Sequence, residues 1–298
     1  MKQMKIGGLE AGGTKMVCAI GNENGELLKR VTIPTEQPSV TMPKLIDFFQ
    51  KEEIEALGIG CFGPLDLNKA SNTYGCITST PKLPWRNYNI VNTFKKALNV
   101  PIGFDTDVNA AALGEATWGT AKNCEVSIYI TIGTGIGVGL CIQGKPHHGL
   151  IHPEAGHILL GRLEGDNYNG NCPYHSDCFE GLASGPAIEG RFGKKAYELA
   201  DRSDVWEMES SYIAKAITNY ILTLSPNKIT LWGGVMHQTQ LFPMIREKVL
   251  SYLSGYLHSD IIENHIDHYI LPPSLGDDAG IKGAIRLGYF AMNQKPNP

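Results

Sequence analysis

The chain has 298 residues, 42% of them hydrophobic and 19% charged, with a formal net charge of −4. That is enough apolar material for one large domain or two moderate ones, and the balance of charge, with no basic block, gives no footing for a nucleic-acid groove. No apolar run reaches the ~18 residues of a membrane span. Met1–Lys5 leads straight into Ile6-Gly7-Gly8-Leu9, with neither a signal-type apolar core nor a small-residue cleavage site, so a cytoplasmic location is expected.

Taken in chain order, the first 35 residues read as three strands joined by tight turns, at Lys5–Glu10, Lys15–Ile20 and Leu27–Ile33. Asn22-Glu23-Asn24-Gly25 is the turn signal before the third. Val40–Lys51 has helical periodicity. Glu55–Cys61 is a short apolar strand that stops at Phe62-Gly63-Pro64. An extended approach at Phe104-Asp105-Thr106 then runs into an Ala-rich helix from Asp107 to about Trp118. Val126–Thr131, a Gly-rich turn and Leu140–Ile142 form a second strand–turn–strand that echoes the opening one. Two copies of one hairpin suggest two similar half-domains. The remainder reads as mainly helical, with strands near Lys228–Trp232 and Tyr269–Leu271, a closing helix over Ala279–Met292 and a polar, Pro-rich tail over 293–298.

Three features carry chemistry. Asp107 sits at a strand-to-helix junction, the mouth of an α/β sheet, where ligands bind. A carboxylate there can accept a proton from a hydroxyl; as an alternative, Asp107 simply caps the helix. Glycine turns after strands are the second feature. Gly12, Gly13 and Thr14, with Lys15 beside them, can bring backbone N–H groups and a hydroxyl to an anion, and Gly133, Thr134 and Gly135 offer the same from the second half. Gly233 and Gly234 repeat the strand-then-glycine pattern. Neither a Rossmann nor a P-loop spacing is present.

The third feature is a metal-type spacing, Cys172-x2-His175-x2-Cys178 with His157 upstream. Two thiolates and two imidazoles suit a tetrahedral, structural Zn²⁺. A metal would explain how the polar stretch around Gly165–Asn171 holds its shape, and would fix Glu154 and Glu180, which flank the cluster. His147, His148 and His152 fit the spacing less well and read as surface or cleft residues. The other five of the seven cysteines read as reduced thiols.

With these elements in view, the chain resembles the ROK family of sugar kinases, and within it bacterial fructokinases. The resemblance runs from Gly7 to about Met292. It rests on Leu9-Glu10-Ala11-Gly12-Gly13-Thr14-Lys15, Ser79-Thr80-Pro81-Lys82, Thr106-Asp107-Val108-Asn109-Ala110-Ala111-Ala112 and, most specifically, the run from Cys172 to Ala187. It implies an α/β fold of two actin-like (ribonuclease H-like) α/β half-domains around a central cleft, with a zinc-binding loop. Residues 1–118 would form a small N-terminal domain, with the helix of 279–298 packing back on it, and 119–278 a larger domain with the zinc loop.

The resemblance also implies roles. Asp107 matches the catalytic base; Gly12, Gly13, Thr14, Lys15, Gly133, Thr134 and Gly135 the phosphate hairpins; Gly233 and Gly234 the adenosine side. Gly63, Pro64, Thr106, Asp107, Glu154, His157 and Glu180 would meet the sugar, and His157, Cys172, His175 and Cys178 would hold zinc. Mg-ATP and a hexose would be the substrates, fructose to fructose 6-phosphate, in a homodimer, with no nucleic-acid or membrane partner. Three positions depart from relatives. Glu10 stands where the wider superfamily has Asp. Thr106 replaces the Asn of glucokinase-like members. The metal motif has two cysteines where many relatives have three. The alternatives are a kinase for mannose, glucose or N-acetylmannosamine, and a non-catalytic sugar-sensing regulator; a repressor would need a helix-turn-helix ahead of residue 6.

Overall fold

A computed structural model describes residues 4–293. In chain order it begins with strands β1 (Ile6–Ala11), β2 (Lys15–Gly21) and β3 (Leu27–Pro34), helix α1 (Pro38–Glu52) and strand β4 (Ala56–Cys61). A short antiparallel pair follows, β5 (Cys76–Ile77) and β6 (Tyr88–Asn89), then α2 (Ile90–Leu98), β7 (Ile102–Thr106) and α3 (Asp107–Trp118). Next come β8 (Val126–Ile132), β9 (Ile136–Ile142) and the two-residue β10 (Lys145–Pro146). Then follow α4 (Phe179–Ala183), α5 (Gly185–Phe192), α6 (Ser203–Leu224), β11 (Lys228–Trp232), α7 (Leu241–Leu253), α8 (Asp260–Glu263), β12 (Ile270–Leu271) and α9 (Ala279–Asn293). Of the polar tail expected over 293–298, residue 293 ends α9 and 294–298 lie outside the described residues.

The chain divides into two compact units. One takes in residues up to 123, 144–153 and those from 275 onward; the other takes in 124–143 and 154–274. The boundary expected at 118 lies at 123, and residues 144–153, expected in the second half, group with the first unit.

The first unit is built on a sheet of order β3-β2-β1-β4-β7. β1 runs antiparallel to β2 and parallel to β4, which is parallel to β7. β1 and β4 are near-continuous apolar runs, as strands covered on both faces must be; every residue of β4 is buried. α9 covers one face, packing on β1, β4 and β7 and against α3. The approach is so close that a Cβ on Gly58 of β4 would lie 1.7 Å from the Ala284 carbonyl oxygen of α9. The opposite face carries Leu45 and Phe49 of α1 and Phe94 of α2 in a core with Leu9, Leu57 and Ile59.

The second unit repeats the order. Its strands run β9-β8-β11-β12, with β8 antiparallel to β9 and parallel to β11, and β11 parallel to β12. The long helix α6 supplies Trp206, Tyr212, Ile213 and Ile217 to a core shared with Ile128, Ile130 and Leu231 of the strands. The paired strand–turn–strand pattern of the sequence is thus a repeated topology.

Gly58→Ala is expected to destabilise the protein by about 1–3 kcal/mol or more, as overpacking does. Gly149→Ala, where a Cβ meets nothing within 4 Å, serves as control. Urea midpoints check this; equal midpoints for both variants would contradict the close packing.

Candidate active site

In the first unit the site grows from the ends of parallel β4 and β7, where Gly60 pairs with Asp105 and Cys61 with Thr106. α3 starts directly after Thr106, whose hydroxyl oxygen caps it by accepting from the Asn109 N–H at 3.1 Å. The capping role considered for Asp107 therefore belongs to Thr106. Asp107 is the first helical residue, and its Oδ1 accepts from the Val108 N–H at 2.9 Å. Protein packed around the Asp107 carboxyl pushes it above the ordinary carboxylate range. A raised base is better matched to taking a proton near neutral pH.

Glu10, at the end of β1, stands near this carboxyl. Burial first, and then the charge of Asp107, push Glu10 up to about 7. Its carboxylate lies where a Cβ on Gly280, at the start of α9, would meet it at 2.8–3.0 Å. Two acids that resist ionisation together make a place that a cation would stabilise.

The β1–β2 turn is closed by the Gly12 N–H donating to the Lys15 carbonyl at 3.1 Å, and Thr35 donates its hydroxyl to the Gly12 carbonyl at 2.7 Å. Lys15 is exposed. The structure brings a second lysine here: a Cβ on Gly13 would meet Lys82 Cε at 2.8 Å and its Nζ at 3.9 Å. The sequence alone assigns Lys82 no role. No local spacing could have shown that this loop folds over residue 13. Gly63 and Pro64 follow β4 through a cis peptide bond. The Pro64 carbonyl accepts from the Thr78 N–H at 2.8 Å, and the next residue, Leu65, donates its N–H to His152 Nε2 at 3.2 Å. His152 and Asp105 are both buried, at 3% and 2% exposed, so His152, expected at the surface or in a cleft, lies in the interior.

The second unit holds the other expected residues. Gly133, Thr134 and Gly135 form the β8–β9 turn. Glu180 reaches it: Oε2 accepts from the Ile136 N–H at 2.9 Å. Gly185, which opens α5, donates to the Gly133 carbonyl at 2.7 Å. Gly233 turns the chain after β11 with φ +99°, where a side chain would be strained, and a Cβ there would clash with the Ile132 carbonyl at 2.4 Å. The backbone N of Gly234 lies 3.9 Å from a Cβ built on Gly133. So Glu180, Gly133 and Gly234 meet at one turn. Glu154 is exposed, and its carbonyl accepts from the His157 N–H at 2.9 Å.

His157, Cys172, His175 and Cys178 come together, with all four ligand atoms within 4.8 Å of one another. His157 Nδ1 lies 3.7 Å from Cys172 Sγ and 3.6 Å from Cys178 Sγ, and His175 Nδ1 lies 3.8 Å from Cys172 Sγ. A tetrahedron with Zn–S arms of about 2.3 Å and Zn–N arms of about 2.05 Å has S···N edges of about 3.6 Å. The cluster therefore fits a metal ion. Burial pushes the Cys178 thiol up to about 11, so its thiolate needs a cation nearby. Phe179 N–H donates to the Ile158 carbonyl and Leu160 N–H to the Asp177 carbonyl, which draws His157 against Cys178. The neighbouring polar loop has a second anchor. Asp166 is buried and pairs with Arg191 at 3.1 Å and with the Tyr212 hydroxyl. The 165–171 stretch thus has a protein anchor beside the one that a metal would supply.

Two α/β units of one sheet topology, each with a glycine turn after its first strand, make up this fold. The ROK family model matches residues 6–289, so the chain belongs to the ROK family. It is 52% identical over 287 residues to a protein described as a putative fructokinase of Bacillus subtilis, covering 96% of each chain. It is 45% identical over 289 residues to the fructokinase of Pediococcus pentosaceus, covering 97% of this chain and 99% of that one. The solved ROK hexokinase of Thermus thermophilus superposes with a TM-score of 0.79 at 26% identity, over 96% of this chain and 98% of that one.

Glu10 gives a pH test. Its unfolded value is near 4.5 and its folded value about 7. Between the two, the native state holds a proton that the unfolded chain has lost, so stability falls as pH rises through that window. Glu10→Gln removes this term. In metal-free buffer its stability relative to the parent should rise from pH 5 to pH 8 in urea titrations; a pH-independent difference would refute the assignment.

Proposed function

We propose that this chain is an ATP-dependent fructokinase that forms fructose 6-phosphate. The observation that carries the reading is Asp107, a carboxyl directly after β7 raised above its ordinary range, in the same unit as the Gly12–Gly13 turn, in a chain 45–52% identical to proteins named fructokinase. Asp107 accepts the proton of the sugar 6-hydroxyl as that oxygen attacks the γ-phosphorus. The O6–P bond forms, the bond from phosphorus to the ADP oxygen breaks, and the electron pair leaves on ADP. Positioning and charge stabilisation dominate such transfers.

Each remaining residue has a part in this reading. Gly12, Gly13 and Thr14, with Gly133, Thr134 and Gly135, offer N–H and hydroxyl donors to the phosphates, and Lys15 and Lys82 add positive charge. Gly233 and Gly234 leave room on the adenosine side. Gly63, Pro64, Thr106, Glu154, His157 and Glu180 orient the sugar. His157 can serve both partners, since Nδ1 faces the thiols and Nε2 is the opposite ring nitrogen. Glu10 would hold, through water, the Mg²⁺ that comes with ATP, and that ion would screen the phosphate charge. His157, Cys172, His175 and Cys178 would hold a structural zinc. No disulfide joins any of the seven cysteines, which supports a reducing, cytoplasmic setting. A homodimer belongs to this reading through the family resemblance.

Two experiments test it. ADP release with fructose, mannose, glucose and N-acetylmannosamine should favour fructose, and Asp107→Asn should fold normally yet lose at least about 10²-fold in turnover. Activity above a few per cent in that variant would sink the base assignment; another preferred sugar would move the substrate alone. Cys172→Ser should lose bound zinc by metal analysis and raise the fructose KM. A zinc-free variant with the parent KM would count against a structural role for the metal.

A further inference from the structure

Asp105 takes no part in the chemistry above, yet it is a buried carboxylate, and a buried charge must be met by donors. Three meet it. Oδ1 accepts from the Thr106 N–H at 2.8 Å and from Asn109 Nδ2 at 2.8 Å. Oδ2 lies 2.9 Å from His148 Nε2. The first two donors belong to the turn that carries Asp107. The third comes from the 144–153 segment of the same unit. His148 is thus a long-range hydrogen-bond partner, among the described residues, of a carboxylate around which the turn that carries Asp107 is wrapped.

The segment is tied down a second time at His152, through the Leu65 N–H. Between the two histidines, Leu150 and Ile151 are exposed, so apolar packing of the tip does not hold it. The imidazoles do.

We infer that His148 is a positioning residue for phosphoryl transfer: acting through Asp105, it fixes the Asp105–Asn109 turn and so the direction of the Asp107 carboxylate. This rests on the reading of Asp107 as the base. Without His148, one oxygen of a buried carboxylate loses its donor, which is costly. The carboxylate must then turn or hydrate. Its bonds to Thr106 and Asn109, on either side of Asp107, shift with it. Asp105 also pushes the His148 imidazole up, which favours the charged pair. Lys69, Tyr74 and Lys145 face the same space as His148, a cavity of about 460 Å³, and His152 adds its field from the same segment. Since the His148 side chain is 38% exposed, a small molecule can reach its place from solvent.

The test compares the parent, His148→Ala, His148→Gln and Asp105→Asn in steady-state kinetics with fructose and Mg-ATP. His148→Ala should lower kcat by about 10- to 100-fold, the scale of a small misplacement, with the fructose KM changed by less than about 3-fold. His148→Gln keeps a donor and should recover most of that loss. Added imidazole should raise kcat in His148→Ala and leave Asp105→Asn unchanged. Parental kcat in His148→Ala would overturn the inference, and so would a loss carried by KM or a loss that neither Gln nor imidazole repairs. If His148→Ala does not fold, a double-mutant cycle of His148→Gln with Asp105→Asn decides: non-additive kcat effects support the pair, and additive ones reject it. If the parent itself does not turn over fructose, the kinase reading fails separately. Amide exchange at Thr106 and Val108, faster in His148→Ala than in the parent, then still decides for or against the clamp.

Discussion

The first unit depends on one constraint: α9 must lie directly on the backbone of the sheet. The chain leaves this unit after residue 123 and returns for good at 275, and only small residues allow the returning helix to close it. Gly58 leaves the space that the Ala284 carbonyl occupies. The return is pinned by Glu115, a buried carboxylate that accepts from the Thr120 N–H at 2.7 Å and from the Leu275 N–H at 2.8 Å. α9 then supports β1, β4 and β7 from below, and these strands present Glu10, Gly63 and Asp107 at their ends. A change that lifts the helix would disturb every one of those positions.

Electrostatics sets the working state of this end of the sheet. Burial raises the cost of ionising both Glu10 and Asp107, and the charge of Asp107 adds to that cost at Glu10. Without a cation, one of them tends to keep its proton near neutral pH. A cation placed beside the two carboxyls would reverse that balance. Lys82, beside Gly13, completes the arrangement with a positive group.

The second unit transmits order differently. Cys178 is a ligand of the metal-fitting cluster and also the N-cap of α4, where its sulfur accepts from the Gly181 N–H at 3.3 Å. α4 carries Glu180, and Glu180 holds the Ile136 N–H at the glycine turn. A metal would thus set a helix start, the helix start a carboxylate, and the carboxylate the glycine turn of residues 133–135. Asp166, Arg191 and Tyr212 brace the loop from the other side, so part of this order would survive loss of the metal.

The sequence by itself determined whatever is local. Alternation and glycine turns marked both strand–turn–strand units, and the Cys-x2-His-x2-Cys spacing confined three metal ligands to two turns of chain. The approach to Asp107 marked a strand running into a helix, although sequence could not say that Thr106 rather than Asp107 would cap it, since both side chains can. Tertiary structure decided what joins distant residues. It placed Lys82 over Gly13, bound His148 to Asp105 and His152 to Leu65, and moved 144–153 into the first unit. The physical reason is that a spacing pattern records contacts within a turn or a hairpin, whereas a buried carboxylate or a bare backbone face selects its partner only after the chain has folded back upon it.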